Sequence, residues 1–238
     1  MEKNQQIQQK YYAETASNYD NWHLNHESGE HDFALMFLSS AIERLGSKSV
    51  LDVGAGTGRT INYLKSRHPD IQVTGIEPVK ELREQGYKKG IEKENLIEGY
   101  GENIAFPDNS FDIVCEFGIL HHVPQPEKVV EEMLRVARKG IFISDSNNFG
   151  QGSWVARTIK QGLNALGAWR LYDFVRTRGK MYQISEGDGL FYSYSVFNNY
   201  RQIKKSCKVV HLVNTKDGSS NLYKTASHIA LLGIKKEG

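Results

Sequence analysis

The sequence predicts an α/β fold, a doubly wound and mostly parallel sheet of seven strands with an antiparallel C-terminal hairpin and a helical lid insertion. Three observations carry that expectation. From residue 31 to residue 144 short apolar runs alternate with helical stripes, the order of parallel strands joined by right-handed crossovers. One run, Val50-Leu51-Asp52-Val53, passes straight into Gly54-Ala55-Gly56-Thr57-Gly58, a buried strand entering a tight turn that opens a helix. Finally, two β-rich runs, 208–215 and 226–235, flank Asp217-Gly218 and read as a hairpin that finishes the sheet.

Residues 1–30 are polar but carry Tyr11, Tyr12, Tyr19 and Trp22, so part of this segment is expected to dock as a flap over a ligand. His23, His26 and His31 lack the convergent spacing of a zinc site, and no metal is expected. Phe33, Phe37, Ala41 and Leu45 form a helical stripe that Gly46 stops. The glycine-rich strand follows, then a short helix with Ile61 and Leu64 that Pro69 ends, and a second strand over 71–77. A charged helix over 79–90, a short strand over 95–98 and a buried strand over 111–117 continue the alternation. The next helix is expected over 126–138, with Pro126 in its first turn and Gly140 past its end, before a fifth strand over 141–144. Residues 31–145 thus make a core, 146–205 an insertion and 206–238 the closing strands.

The insertion changes character. Between residues 151 and 205 nine Lys or Arg stand against three Asp or Glu, a net of +6 in a chain whose formal charge is +2. Trp154, Tyr182, Phe191 and Tyr192 are among its many aromatics, and Val155, Ile159, Leu163, Leu166 and Trp169 fall at helical spacing. Such a segment suits a lid or substrate wall. The chain as a whole has no strong field to draw in nucleic acid. Two cysteines and no long apolar run give no sign of a disulfide framework, signal peptide or membrane span, so a cytoplasmic protein without stable membrane association is the expectation.

The ligand of the glycine turn is narrowed by what surrounds it. Gly54-x-Gly56-x-Gly58 departs from the G-x-G-x-x-G spacing that approaches a pyrophosphate, which weakens a nicotinamide reading. Glu77 ends the second strand, where a carboxylate can accept hydrogen bonds from both hydroxyls of a ribose. An adenosine cofactor fits these residues.

Four motifs in order carry a resemblance. Val-Leu-Asp-Val-Gly-Ala-Gly-Thr-Gly at 50–58, Gly-Ile-Glu at 75–77, the run from Gly101 to Val114 and Leu-His-His-Val at 120–123 resemble class I S-adenosylmethionine-dependent methyltransferases, which have a Rossmann-like fold. The nearest flavour is the small-molecule group that includes quinone-biosynthesis C-methyltransferases. The resemblance implies S-adenosylmethionine as cofactor and S-adenosylhomocysteine as product. It puts Asp52, Gly54, Ala55 and Gly56 around the methionine part, Glu77 and Pro78 at the ribose, Gly101, Glu102 and Asn103 by the adenine, and Glu116 at the end of the fourth strand. Where many relatives have Gly-Asp before the third motif, this chain has Gly99-Tyr100, so a phenol takes the place of a carboxylate near the base.

Methyl transfer is displacement at a carbon already activated by sulfonium, and the enzyme mainly aligns the reactants and excludes water. His121 and His122 directly follow the fourth strand and are the candidate bases. Tyr19, Trp154, Tyr182, Phe191 and Tyr192 are the candidate acceptor contacts. No Asn/Asp-Pro-Pro-Tyr element follows the strand, which argues against methylation of a nucleic-acid base or a glutamine. The expected acceptor is a small, aromatic or partly apolar metabolite attacked through O, N or C. The alternative is a non-catalytic module that uses the basic aromatic lid to bind a membrane surface or protein partner.

Overall fold

The computed structural model describes residues 2–19, 30–216 and 218–236. Trp22, His23, His26 and Asp217 lie outside them. Helix α1 (Glu2–Thr15) precedes α2 (Glu30–Leu45), which leads into β1 (Ser49–Val53), α3 (Arg59–Arg67), β2 (Gln72–Ile76), α4 (Lys80–Lys88) and β3 (Leu96–Ile97). Then come β4 (Phe111–Phe117), a short 3₁₀ turn at Leu120–His122, α5 (Pro126–Val136) and β5 (Ala137–Ser146). The insertion supplies α6 (Trp154–Ala165), α7 (Trp169–Arg176) and a two-stranded hairpin of β6 (Tyr182–Ser185) and β7 (Gly189–Tyr192). α8 (Tyr200–Ser206), β8 (Cys207–Asn214) and β9 (His228–Lys235) close the chain.

The seven-stranded sheet runs β3-β2-β1-β4-β5-β9-β8. Pairings from β3 across to β5 are parallel, and β9 is antiparallel to both β5 and β8. The strand order reverses beside β1, so the carboxyl ends of β1 and β4 open onto the crevice where such sheets bind ligands. Alternate strand residues serve opposite faces. Leu51, Val53, Val114, Ile141 and Ile143 pack under α5 through Val129, Val130 and Met133. On the other face Val50, Val73, Ile113, Cys115 and Phe142 pack under α2 and α3 through Leu38, Ile42, Ile61 and Leu64. Burial on both faces is why these strands read as continuous apolar runs.

One expectation is corrected. Gly140 lies past the helix end but inside a strand: α5 stops at Val136 rather than 138 and β5 begins at once with Ala137 rather than 141. A Cβ on Gly140 would lie 2.7 Å from the Gly233 carbonyl oxygen of β9, so the glycine serves close strand approach. Among the described residues no helix is long and apolar enough to cross a membrane.

Candidate active site

The glycine turn is shaped by its neighbours. The Gly54 and Ala55 N–H groups both donate to the Ile76 carbonyl, at 2.9 and 3.0 Å, which bends the chain sharply away from β1. Gly54 has φ of +72°, and a Cβ there would sit 2.3 Å from Ile119 Cγ2. Behind the turn Asp52 is buried beneath Arg59 and Cys115, and burial pushes its carboxyl up to about 7.

Glu77 is tied to the same turn. The Gly56 N–H donates to its Oε2 at 3.0 Å and the Val79 N–H donates to its Oε1 at 2.9 Å. Each oxygen keeps a further acceptor site, the capacity needed for two ribose hydroxyls. Burial pushes this carboxyl up to about 7, against the pull of those two backbone donors.

A cavity of about 140 Å³ lies over these groups. Val53, Gly54, Glu77, Pro78, Gly101 and Glu102 line one side, with Tyr100 and His122 farther along. Gln5, Gln8, Gln9 and Tyr12 of α1 form its lid, together with Tyr19. Their spacing of three and four residues puts all four on one face of the helix. Gln5 Nε2 donates to Glu102 Oε1 at 2.8 Å. A pocket for a drug-sized ligand runs to roughly 300 Å³ or more, so the α1 side chains occupy part of the space a whole cofactor needs.

At the far end two histidines are held by different means. His121 Nδ1 lies 2.7 Å from Asp145 Oδ1, and its Nε2 lies 3.4 Å from Asp188 Oδ2. Burial alone would depress this imidazole, but Asp145 and Asp188 hold it well above its ordinary value. Both ring nitrogens of His121 thus face a carboxylate. His122 Nδ1 lies 2.7 Å from the Leu190 carbonyl oxygen and 3.0 Å from the Gln8 amide Nε2, and its second ring nitrogen is Nε2. That Nε2 is 3.0 Å from the Tyr12 hydroxyl and 3.4 Å from Asp188 Oδ1. Burial pushes the Tyr12 phenol well up, which keeps it a neutral donor. Asp188 is held well below the usual carboxylate range, because the two histidines outweigh its burial. His121, His122 and Asp188 each offer one ligand atom, all within 4.8 Å of one another, a geometry a divalent cation could use after displacing the His121 proton.

A second pocket of about 480 Å³ adjoins the first and shares Val123 with it. Trp169, Arg170, Met181, Tyr192 and Asn4 are among its walls, and Asn4 Nδ2 donates to the Tyr192 hydroxyl at 3.0 Å.

The remaining sequence candidates are distributed unevenly. Tyr19 stands over the glycine turn, its hydroxyl 3.3 Å from where a Gly56 Cβ would be. Glu116 lies outside the cavity: its oxygens accept from the Ile119 and Ser144 N–H groups, at 2.9 and 3.1 Å, and brace β4 against β5. Asn103 is not part of the cavity wall either, and its N–H closes a turn onto the Tyr100 carbonyl at 3.3 Å. Trp154 faces outward, 72% exposed. Tyr182 packs edge-on against Tyr192, and Phe191 pairs with Gln183 in the small hairpin, so neither forms part of either pocket wall. Tyr12, named among the aromatics of the expected flap, does line the cavity, whereas sequence reading missed Gln8, Asp145 and Asp188; of these only Gln8 left a signal, the i, i+3, i+4, i+7 stripe of α1.

A seven-stranded sheet of this order, with a glycine turn after β1 and an acid after β2, defines a nucleoside-cofactor enzyme fold. The family described as a methyltransferase domain matches residues 51–144. Phosphatidylethanolamine N-methyltransferase of Cereibacter sphaeroides is 34% identical over 119 residues, 48% of this chain and 57% of that protein. Ubiquinone biosynthesis O-methyltransferase of Salmonella arizonae is 30% identical over 48% of this chain and 49% of its own length. The chain thus spans about half the length of these curated relatives. The crystal structure of magnesium protoporphyrin IX methyltransferase from Synechocystis, with bound S-adenosylhomocysteine, covers 98% of this chain and 100% of that one at 12% identity and a TM-score of 0.61, a likeness of fold.

Proposed function

We propose that this chain moves the methyl group of S-adenosylmethionine to an O, N or C atom of a small, partly apolar or aromatic metabolite, with His122 as the base. The observation that carries the reading is the placing of His122 Nε2, which faces the cofactor cavity beside Tyr12. In the tautomer that donates from Nδ1 to the Leu190 carbonyl, Nε2 carries the lone pair, and an acceptor takes the place of the Tyr12 hydroxyl that faces it at 3.0 Å. Asp188 then acts as a positioning residue: its carboxylate faces both histidines and stabilises an imidazolium on His122 after proton transfer, while His121 anchors that carboxylate.

In this reading Glu77 grips the ribose, Pro78, Tyr100, Gly101 and Glu102 bound the adenosine, and Asp52, Gly54, Ala55 and Gly56 bound the methionine part. The second pocket, with Tyr192, Trp169 and Arg170, takes the acceptor. Its aromatic walls suit a flat molecule, with Arg170 set against Glu127 and Asp173 among the charged groups. The names of the two relatives, one an N- and one an O-methyltransferase, leave both attacking atoms open. Radiolabelled methyl transfer to a fractionated extract, compared between the wild type and His122→Ala, tests the proposal. A labelled small molecule made by the wild type and lost in the variant is expected; equal labelling by both would reject His122 as the base.

A further inference from the structure

The two lid helices are built inside out. On α6 the residues turned toward the body are polar: Gln161 Nε2 donates to the Phe149 and Lys224 carbonyls at 2.9 and 2.8 Å, Asn164 Nδ2 donates to the Tyr223 hydroxyl at 2.8 Å, and Lys160 Nζ donates to the Asn148 carbonyl. Trp154, Val155 and Ile159 face solvent, Leu163 is half-buried, and no residue of the helix is buried. α7 repeats the arrangement, with Asp173 3% exposed while Leu171 and Val175 are each 68% exposed. Leu166, in the link between the helices, is 83% exposed. Both helices rest on Phe149, α6 through Gln161 and α7 through the Trp169 ring 5.6 Å away, so their outer faces look away from the body together.

An amphipathic helix in water normally buries the other face. Contiguous exposed apolar side chains rimmed by charge mark a surface that something covers. Between residues 154 and 180 the chain carries six Lys or Arg against the single acid Asp173, and that acid points inward with Arg176 Nη2 2.6 Å from its Oδ1. With Lys160 turned inward and Arg176 on Asp173, the outward surface is apolar with Arg170, Arg178 and Lys180 as its exposed cations and Trp154 at one end, the composition of a helix lying in a lipid headgroup layer.

We infer that α6 and α7 form a docking face for an anionic lipid bilayer. The cations draw the face to acidic headgroups, and Val155, Ile159, Leu171 and Val175 enter the headgroup–acyl boundary. α7 also lends Trp169 and Arg170 to the second pocket, so the docked face and that pocket share an element. If the second pocket takes the acceptor, which rests on the proposed function, an amphiphile would reach it from the bilayer; docking itself stands without that step.

The test is co-sedimentation of the full chain with vesicles of equal parts phosphatidylglycerol and phosphatidylcholine, and with phosphatidylcholine alone, at low and high salt. The expected result is binding to the anionic vesicles that salt weakens. The double variant Leu171→Glu/Val175→Glu should bind about a hundredfold less, having lost two apolar contacts. Its unfolding midpoint and S-adenosylmethionine affinity should match the wild type, because both side chains are exposed. Arg178→Glu/Lys180→Glu, which leaves the apolar face intact, should also lose anionic binding. No binding to anionic vesicles, equal binding to neutral ones, or unchanged binding by both variants would overturn the inference. So would a wild-type dimer in sedimentation that Leu171→Glu/Val175→Glu converts to monomer, which would assign the face to a second copy of the chain.

Discussion

Glu77 should make cofactor binding and fold stability respond to pH in opposite directions. Burial raises its folded pKa from 4.5 to about 7. Between those values the ligand-free fold keeps a proton that the unfolded chain has released, so stability is highest at the acid end and declines as pH rises through the window. The whole decline from this one carboxyl is about 3 kcal/mol. Ribose hydroxyls, in contrast, donate to the ionised form. Affinity for S-adenosylmethionine should therefore rise with pH toward about 7, by up to about tenfold per unit. Glu77→Ala removes the charged acceptor and should weaken binding by about 1.5–3 kcal/mol. Asp52 also titrates near 7 and remains in that variant, so any residual slope should vanish in Glu77→Ala/Asp52→Asn. Calorimetric titration with S-adenosylmethionine from acid to neutral pH, paired with thermal unfolding of the ligand-free protein, reads both effects. A flat wild-type affinity, or undiminished affinity in Glu77→Ala, would refute the ribose assignment.

Other outcomes follow from the same geometry. His122→Ala should lower kcat by about 10²–10⁴ while leaving cofactor affinity unchanged, a split read by steady-state kinetics and calorimetry. A chelator should leave turnover intact, whereas added Zn²⁺ should inhibit by capturing the Nε2 atoms of His121 and His122 with Asp188; loss of activity on chelation would replace the base with a metal-held acceptor. Gly54→Ala should destabilise the fold by at least about 1–3 kcal/mol, because its Cβ meets Ile119 at 2.3 Å and its φ is positive, and Gly54→Ala/Ile119→Ala should relieve the steric part; thermal melts decide.

The parallel core was legible because strands buried on both faces appear as apolar runs with glycine and proline at their ends. Residues 111–117 were bounded correctly from that pattern alone. Gly140 misled because a glycine after a helix usually caps it, whereas here the next strand begins within the same turn of sequence. α1 was harder, since its mean composition is too polar to signal burial and its docked face is made of glutamines. Asp145 and Asp188 could not be read at all: their partnership with the two histidines joins the end of β5 and the β6–β7 turn to the end of β4, and nothing local marks it. For the lid, helical spacing identified the apolar stripe of α6 but neither its outward direction nor the exposed Leu171 and Val175 of α7.

α1 reaches both pockets at once. Asn4 belongs to the wall of one, while Gln5, Gln8, Gln9 and Tyr12 cover the other. A helix moves as a rod, since its backbone bonds run along its own axis. The two chambers are thus shut by a single bar: lifting it for a cofactor also unlatches Tyr192 and frees Nε2 of His122 from Tyr12. Opening for exchange and uncovering the His122 ring thus become one event.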